Sequence, residues 1–215
     1  MPPVRSACTV LVLAAALSAC GLTRGPQTLA EQTARTAERL AAAPTPDARR
    51  AVAVTLFAEA GLTPLAGLRS ESGARFEVGA LVAGFVPGRR AGFRDTLVVL
   101  AAAIDGPHAA TLVEAARLIA EQADTHGDAP QRSVLAALWP AGLTPDDGLA
   151  AVRAFPLWPP GAVRLTVVLA DGPPGGLARP GFPVAVFQTA GLPASVNAAD
   201  LSVSVLAAAS AAPTD

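Results

Sequence analysis

The sequence predicts an α/β fold, a three-layer sandwich in which a mixed, mostly parallel sheet is covered by helices on both faces. Residues 96–104 form a nearly unbroken apolar run rich in valine and leucine, typical of a strand buried on both faces. Apolar runs of strand length also alternate along the chain with stretches whose apolar residues recur every three or four positions, as in amphipathic helices. We therefore expect residues 96–104 to be the central strand.

The other elements are predicted in chain order from the same two periodicities. Helices are expected at residues 28–43, 48–60, 109–120, 149–155 and 198–209, and strands at residues 76–86, 96–104, 132–139, 163–170 and 183–187. Thr45 or Asp47 is expected to cap the second helix, with Pro46 tolerated beside the helix start. On the helix after the central strand, Glu114 is expected to face water.

The first twenty residues resemble a bacterial lipoprotein signal rather than part of a fold. Arg5 supplies a short basic segment, residues 7–17 are apolar, and Leu-Ser-Ala at 17–19 precedes Cys20. The alternatives are an ordinary secretory peptide and a transmembrane anchor. We expect residues 1–19 to be removed and Cys20 to be lipidated. This modification would hold the protein in the cell envelope, at the outer membrane or on the periplasmic face of a bacterial membrane.

The remaining chain is long enough for one domain. Residues 20–27 are interpreted as a tether, residues 28–209 as a single α/β domain and residues 210–215 as a disordered tail. The net charge is -1 and there is no basic tract, so no nucleic-acid partner is expected. The sequence contains no lysine, which excludes a Walker A phosphate loop and a lysine Schiff base. The oligomeric state is left open.

The turn after the central strand is the first candidate for a functional site. Asp105, Gly106, Pro107 and His108 stand between a strand and a helix, where open α/β folds place their ligands. Each polar residue also has a structural interpretation. Asp105 can form the turn or cap the helix, and His108 can be a polar residue of the first helical turn.

Two other regions carry the same ambiguity. Asp146 and Asp147 might replace missing metal ligands, but they also suit an ordinary helix start after Thr144 and Pro145. Trp139 can belong to the core or to the wall of a cleft. Motifs of serine hydrolases, dinucleotide-binding folds and HExxH metallopeptidases are absent from the sequence.

Several segments, in order, resemble the zinc aminopeptidase family M twenty-eight, which includes bacterial leucyl aminopeptidase and glutaminyl cyclase. They are RRAVAVTLFAEAGLTPL at 49–65, VAGFVPG at 82–88, TLVVLAAAID at 96–105 and RSVLAALW at 132–139. The resemblance spans residues 28–188 and implies a zinc-exopeptidase-like fold. Members of this family hold two zinc ions with histidine, aspartate and glutamate ligands and use a further glutamate as general base.

The chain departs from that family at the positions that bind metal. Ala103 stands where the family has a histidine ligand, and Asp105 matches the aspartate that orients it. The family's loop with the bridging aspartate has no counterpart before the helix. Gly142 and Leu143 replace its glutamate pair, and Asp171 matches one remaining ligand. Because zinc needs three or four protein donors, we expect no cofactor and no catalysis.

The resulting hypothesis is a non-catalytic binding or scaffolding protein, a pseudo-peptidase, that holds a peptide, sugar or protein in a residual cleft. The expected cleft residues are Ala103, Asp105, His108, Trp139, Gly142, Leu143 and Asp171. The alternative is an active metal-dependent aminopeptidase or other hydrolase. In that case zinc would be bound at a rearranged site by Asp105, His108, Asp146 or Asp147, and Asp171.

Overall fold

The computed structural model describes residues 26–65, 76–89, 97–126, 129–154, 162–170, 183–188 and 192–211. Within these ranges the helices are α1 (Pro26–Ala42), α2 (Pro46–Glu59), α3 (His108–His126), α4 (Pro145–Arg153) and α5 (Ala194–Ser210). The strands are β1 (Thr63–Pro64), β2 (Glu77–Val78), β3 (Leu81–Val86), β4 (Leu97–Ala103), β5 (Ser133–Trp139), β6 (Val163–Ala170) and β7 (Val184–Gln188).

The strands form one mixed sheet in the order β1-β3-β5-β4-β6-β7, with β2 pairing beside β1 on β3. Strands β5, β4, β6 and β7 run parallel to one another, whereas β3 pairs in antiparallel fashion with β1, β2 and β5. The central position predicted for residues 96–104 is confirmed, because β4 lies between β5 and β6 and its interior residues are fully buried.

Side chains that alternate along β4 divide the core into two parts. Val98, Leu100 and Ala102 pack in the larger cluster with residues of α1, α2, α3 and α5. Val99 and Ala101 point to the other side, into a cluster with Leu149 and Val152 of α4. Since successive side chains of a strand point to opposite faces, helices lie against both faces of this sheet.

The helix boundaries follow the capping chemistry expected of them. Thr45 is the N-cap of α2 and its hydroxyl accepts a hydrogen bond from the Ala48 amide (3.1 Å), with Pro46 in the first turn. The helix ends before Gly61, which has a φ of +74°. Thr144 caps α4 in the same way, by accepting a hydrogen bond from the Asp147 amide (3.2 Å). The capping prediction for Thr45 is thus confirmed.

Two local expectations are wrong. Residues 76–86 do not form one strand, because Gly79 turns the chain with a φ of +58° and separates β2 from β3 in a hairpin. Glu114 does not face water: it is 0 % exposed, since α1 packs over this face of α3. Thr36 of α1 donates a hydrogen bond to Glu114 Oε1 (2.6 Å), and Arg117 Nε lies 3.2 Å from Oε2. These partners explain how a carboxylate can be buried there.

The last helix is joined to the start of β5 by a buried arginine. Arg132 is 1 % exposed, and its guanidinium donates to the carbonyl groups of Ala208 (3.2 Å) and Ala211 (2.5 Å). Its backbone amide donates to the carbonyl of Ala209 (3.0 Å). A cation at the carboxyl end of a helix satisfies carbonyl groups that have no partner inside the helix.

Some predicted features lie outside the described residues. These are the signal peptide at residues 1–19, Cys20, residues 21–25 of the predicted tether, Asp171, and residues 212–215 of the predicted tail. Among the helices that the structure does describe, none combines the length and the apolar character needed to cross a membrane.

Candidate functional site

The carboxyl ends of β4 and β5 form a switch point in the parallel part of the sheet. From β4 the chain enters α3 on one face, and from β5 it enters α4 on the opposite face. The two strands are neighbours up to their last residues, where Ala103 pairs with Trp139. Loops that leave adjacent parallel strands in opposite directions leave a crevice between them, which is where open α/β sheets bind ligands.

The turn between β4 and α3 is held by backbone hydrogen bonds. The Ile104 amide donates to the Trp139 carbonyl (3.0 Å), and the Gly106 amide donates to the Ala103 carbonyl (3.3 Å). His108 is the first residue of α3 and is 7 % exposed. The Asp105 side chain is exposed and, within the part of the chain that the structure describes, its carboxylate has no hydrogen-bond or ion-pair partner.

A cavity of about 520 Å³ opens beside this turn, on the face of the sheet that α1 covers. Its described lining residues are Ala37, Leu40, Ala41, Arg49, Ile104, Asp105, Gly106, Pro107 and Ala110. The volume is within the range of small-molecule sites. The walls are mostly aliphatic, with one carboxylate and one guanidinium among them.

The guanidinium of the cavity belongs to Arg49 and is oriented by α1. Its Nε donates to the Leu40 carbonyl (3.2 Å) and its Nη2 to the Ala43 carbonyl (3.2 Å), both at the end of α1. Among the described residues no carboxylate is paired with it. Arg49 and Asp105 therefore bring opposite charges to one mostly aliphatic cavity, and no described residue forms an ion pair with either of them.

The predicted cleft residues from β5 occupy other places. Trp139 is 2 % exposed and lies in the core beneath α4, where a Cβ on Gly148 would come within 2.3 Å of its ring. This contact supports the core interpretation of Trp139. Gly142 and Leu143 lie in the exposed turn that follows, with Leu143 38 % exposed. Of the described residues predicted for the cleft, only Asp105 lines the cavity.

The two aspartates that might replace lost ligands form part of a helix cap. Asp146 and Asp147 are exposed in the first turn of α4, and Asp147 Oδ2 accepts a hydrogen bond from the Thr144 hydroxyl (2.7 Å). The described residues contain no group of three histidine, cysteine, aspartate or glutamate side chains arranged to hold a metal ion. Asp171 itself is not described, although β6 ends at Ala170, near the same edge of the sheet as β4.

The sequence predicts the position of the turn but not the residues that face it. Arg49 is predicted only as part of the helix at residues 48–60, and Ala37, Leu40 and Ala41 only as part of the helix at residues 28–43. The single signal in the sequence was a basic residue in the first turn of α2, where the helix dipole disfavours positive charge. The packing of α1 beside the β4–α3 turn is seen only in the tertiary structure and does not follow from local sequence patterns.

No protein-family model matches the chain. No curated protein matches it with significant similarity.

Proposed function

We propose that this protein is an envelope lipoprotein whose domain is a zinc-exopeptidase-like three-layer sandwich, related to family M twenty-eight, that binds a ligand without catalysis. The cavity beside the carboxyl end of β4 carries this proposal. It joins an apolar wall to two charges, Asp105 and Arg49, that have no counter-ion in the described protein. The residues at the metal-binding positions of the family support the loss of catalysis, since Ala103, Gly142 and Leu143 cannot ligate zinc through side chains.

The ligand that fits this cavity carries an ammonium group beside an aliphatic group. The exposed carboxylate of Asp105 would accept hydrogen bonds from the ammonium, and the Arg49 guanidinium retains donors for an oxygen of the ligand. Leu40 and Ile104 contribute to the apolar wall of the same cavity. A short peptide with a free amino terminus and an aliphatic first side chain has this chemistry, so we propose a peptide as the ligand.

Calorimetric titration of the purified protein with Leu-Gly-Gly and with N-acetyl-Leu-Gly-Gly tests this assignment. We expect binding of the free tripeptide only. Asp105→Asn should weaken it about tenfold, which corresponds to about 1.4 kcal/mol for a lost charge-assisted hydrogen bond. Asp146→Asn is the matched control, because it removes an exposed carboxylate from the first turn of α4, away from the cavity lining. Equal heats for both peptides, or equal weakening by both variants, would contradict the proposal.

The alternative, an active metallo-aminopeptidase, is separated from this proposal by a second measurement on the same protein. After zinc loading and removal of free metal, we expect no stoichiometric zinc and no hydrolysis of leucine 4-nitroanilide. Stoichiometric zinc together with turnover that disappears in Asp171→Ala would establish the alternative and end the non-catalytic interpretation.

A further inference from the structure

The two edges of the sheet are built differently. At one edge β1 and β2 are each two residues long, and β1 contains Pro64, which has no amide hydrogen. At the other edge β7 has five residues, Val-Ala-Val-Phe-Gln, without a charge, a proline or a glycine. No register shift interrupts its pairing with β6. Short strands, prolines, charges and bulges are the usual protection of a sheet edge, and β7 has none of them.

The hydrogen-bonding groups on the outer side of β7 can be assigned from its pairing with β6. The Thr166 amide donates to the Pro183 carbonyl (2.8 Å), and Thr166 is in register with Val184. In a parallel pair the backbone groups of alternate residues point to the neighbour. The groups of Pro183, Ala185 and Phe187 therefore face β6. Those of Val184, Val186 and Gln188 face outward, where no strand of the described chain pairs with them.

We propose that β7 is a self-association edge, on which a second copy of this chain adds its own β7 in antiparallel orientation around a two-fold axis at Val186. In this register Val186 pairs with Val186 of the second copy, and Val184 pairs with Gln188 on either side. Each of these pairs exchanges two backbone hydrogen bonds, so every outward donor and acceptor of the strand is used. The proposal does not depend on the ligand or on the proposed function.

The side chains of β7 agree with pairing to an identical strand. None of the five is fully buried, in contrast to the interior residues of β4 and β5, although four of them are apolar. Val184 and Val186 pack at the border of the core on the α4 face, and Phe187 packs at its border on the other face. A two-fold axis brings β-branched residues opposite each other and no like charges together. A charged partner strand would find no complementary charge on β7.

Sedimentation equilibrium of the full-length protein in a density-matched detergent tests the pairing. We expect the protein mass to rise to that of two chains with increasing concentration. Val186→Pro removes an outward amide hydrogen at an edge position, where proline is tolerated, so it should keep the fold and raise the dissociation constant at least about tenfold. Val186→Thr is the matched control: it keeps the amide and the branched side chain and should remain dimeric. A monomer at every concentration, or a dimer unaffected by Val186→Pro, would overturn the proposal.

A charge exchange tests the register and does not depend on proline. Val186→Lys and Val186→Glu should each be monomeric, since the two-fold axis places like charges about 5.5 Å apart between Cα atoms. An equimolar mixture of the two should restore the dimer. A mixture that stays monomeric while the wild type dimerises would overturn this register, and either variant dimerising alone would do the same.

Discussion

At the scale of single residues, the buried carboxylate of Glu114 is the clearest case in which surroundings decide what a residue does. Its hydrogen bond from Thr36 joins α1 to α3 across 78 positions of sequence. The helical pattern alone favoured a solvated Glu114, because periodicity cannot show that a second helix covers that face. For Asp105, in contrast, local sequence is sufficient. It predicts the position of the turn, and the carboxylate is exposed, as expected of a turn residue.

Thr36→Val tests the contribution of this buried hydrogen bond. The substitution keeps the shape of the side chain and removes one donor from a carboxylate that is 0 % exposed. We expect the free energy of unfolding to fall by about 1–3 kcal/mol, measured by urea denaturation. Thr55→Val on α2 is the matched control, since the exposed Thr55 hydroxyl bonds only to the Ala51 carbonyl of its own helix (3.1 Å). Its effect should stay within about 0.5 kcal/mol, and equal losses in the two variants would refute the argument.

At the scale of elements, α1 and α2 are joined by a bidentate ion pair. Arg39 Nη1 lies 2.5 Å from Glu59 Oε2, and Nη2 lies 3.1 Å from Oε1. The hydrogen bonds from Arg39 lower the pKa of Glu59 below its usual value of 4.5, and the pKa of Arg39 is raised. Because the folded pKa of Glu59 is the lower one, the pair stabilises the fold above pH 4.5, and this stabilisation is lost as the pH falls through the lowered pKa.

Glu59→Gln should therefore destabilise the protein at pH 7 and have no effect at a pH below the lowered pKa. Both side chains are more than 40 % exposed, so the expected loss at pH 7 is about 0.2–1 kcal/mol. Urea midpoints measured from pH 7 downward check it. Glu31→Gln is the control, because Glu31 makes one 3.6 Å contact with Arg35 and both are 69 % exposed. A difference between Glu59→Gln and wild type that does not depend on pH would exclude the ion pair as its cause.

The elements that sequence predicted best are those with the strongest local patterns. The central parts of β4, β5 and β6 are mostly apolar. For α2, the N-cap Thr45 and the glycine that follows the helix can both be recognised in the sequence. The sequence does not predict the β2–β3 hairpin, because apolar residues continue on both sides of Gly79 and conceal the turn. The sequence also does not predict the wall that α1 contributes to the cavity, because local periodicity identifies an apolar face but not the element that covers it.

At the scale of the whole molecule, the domain is proposed to be held at a membrane through Cys20. Metabolic labelling with palmitate should mark the wild-type protein and leave Cys20→Ser unlabelled, since acylation requires that thiol. Cys8→Ser is the matched control and should be labelled like the wild type, because residue 8 belongs to the segment proposed to be removed. Labelling of Cys20→Ser would contradict the anchor. More than one acyl chain is needed for firm attachment, as a single chain holds a protein only marginally.

The contact of Arg132 with the end of α5 has a consequence for the order in which the chain can reach its final state. The guanidinium of Arg132 donates to carbonyl groups that lie 76 and 79 positions further along the chain. Until that segment has docked, the guanidinium lacks the acceptors that allow it to be buried, and the face of α3 beneath α5 stays uncovered. Closure of the core therefore depends on a contact between residues far apart in sequence, and such non-local contacts slow the folding of a domain.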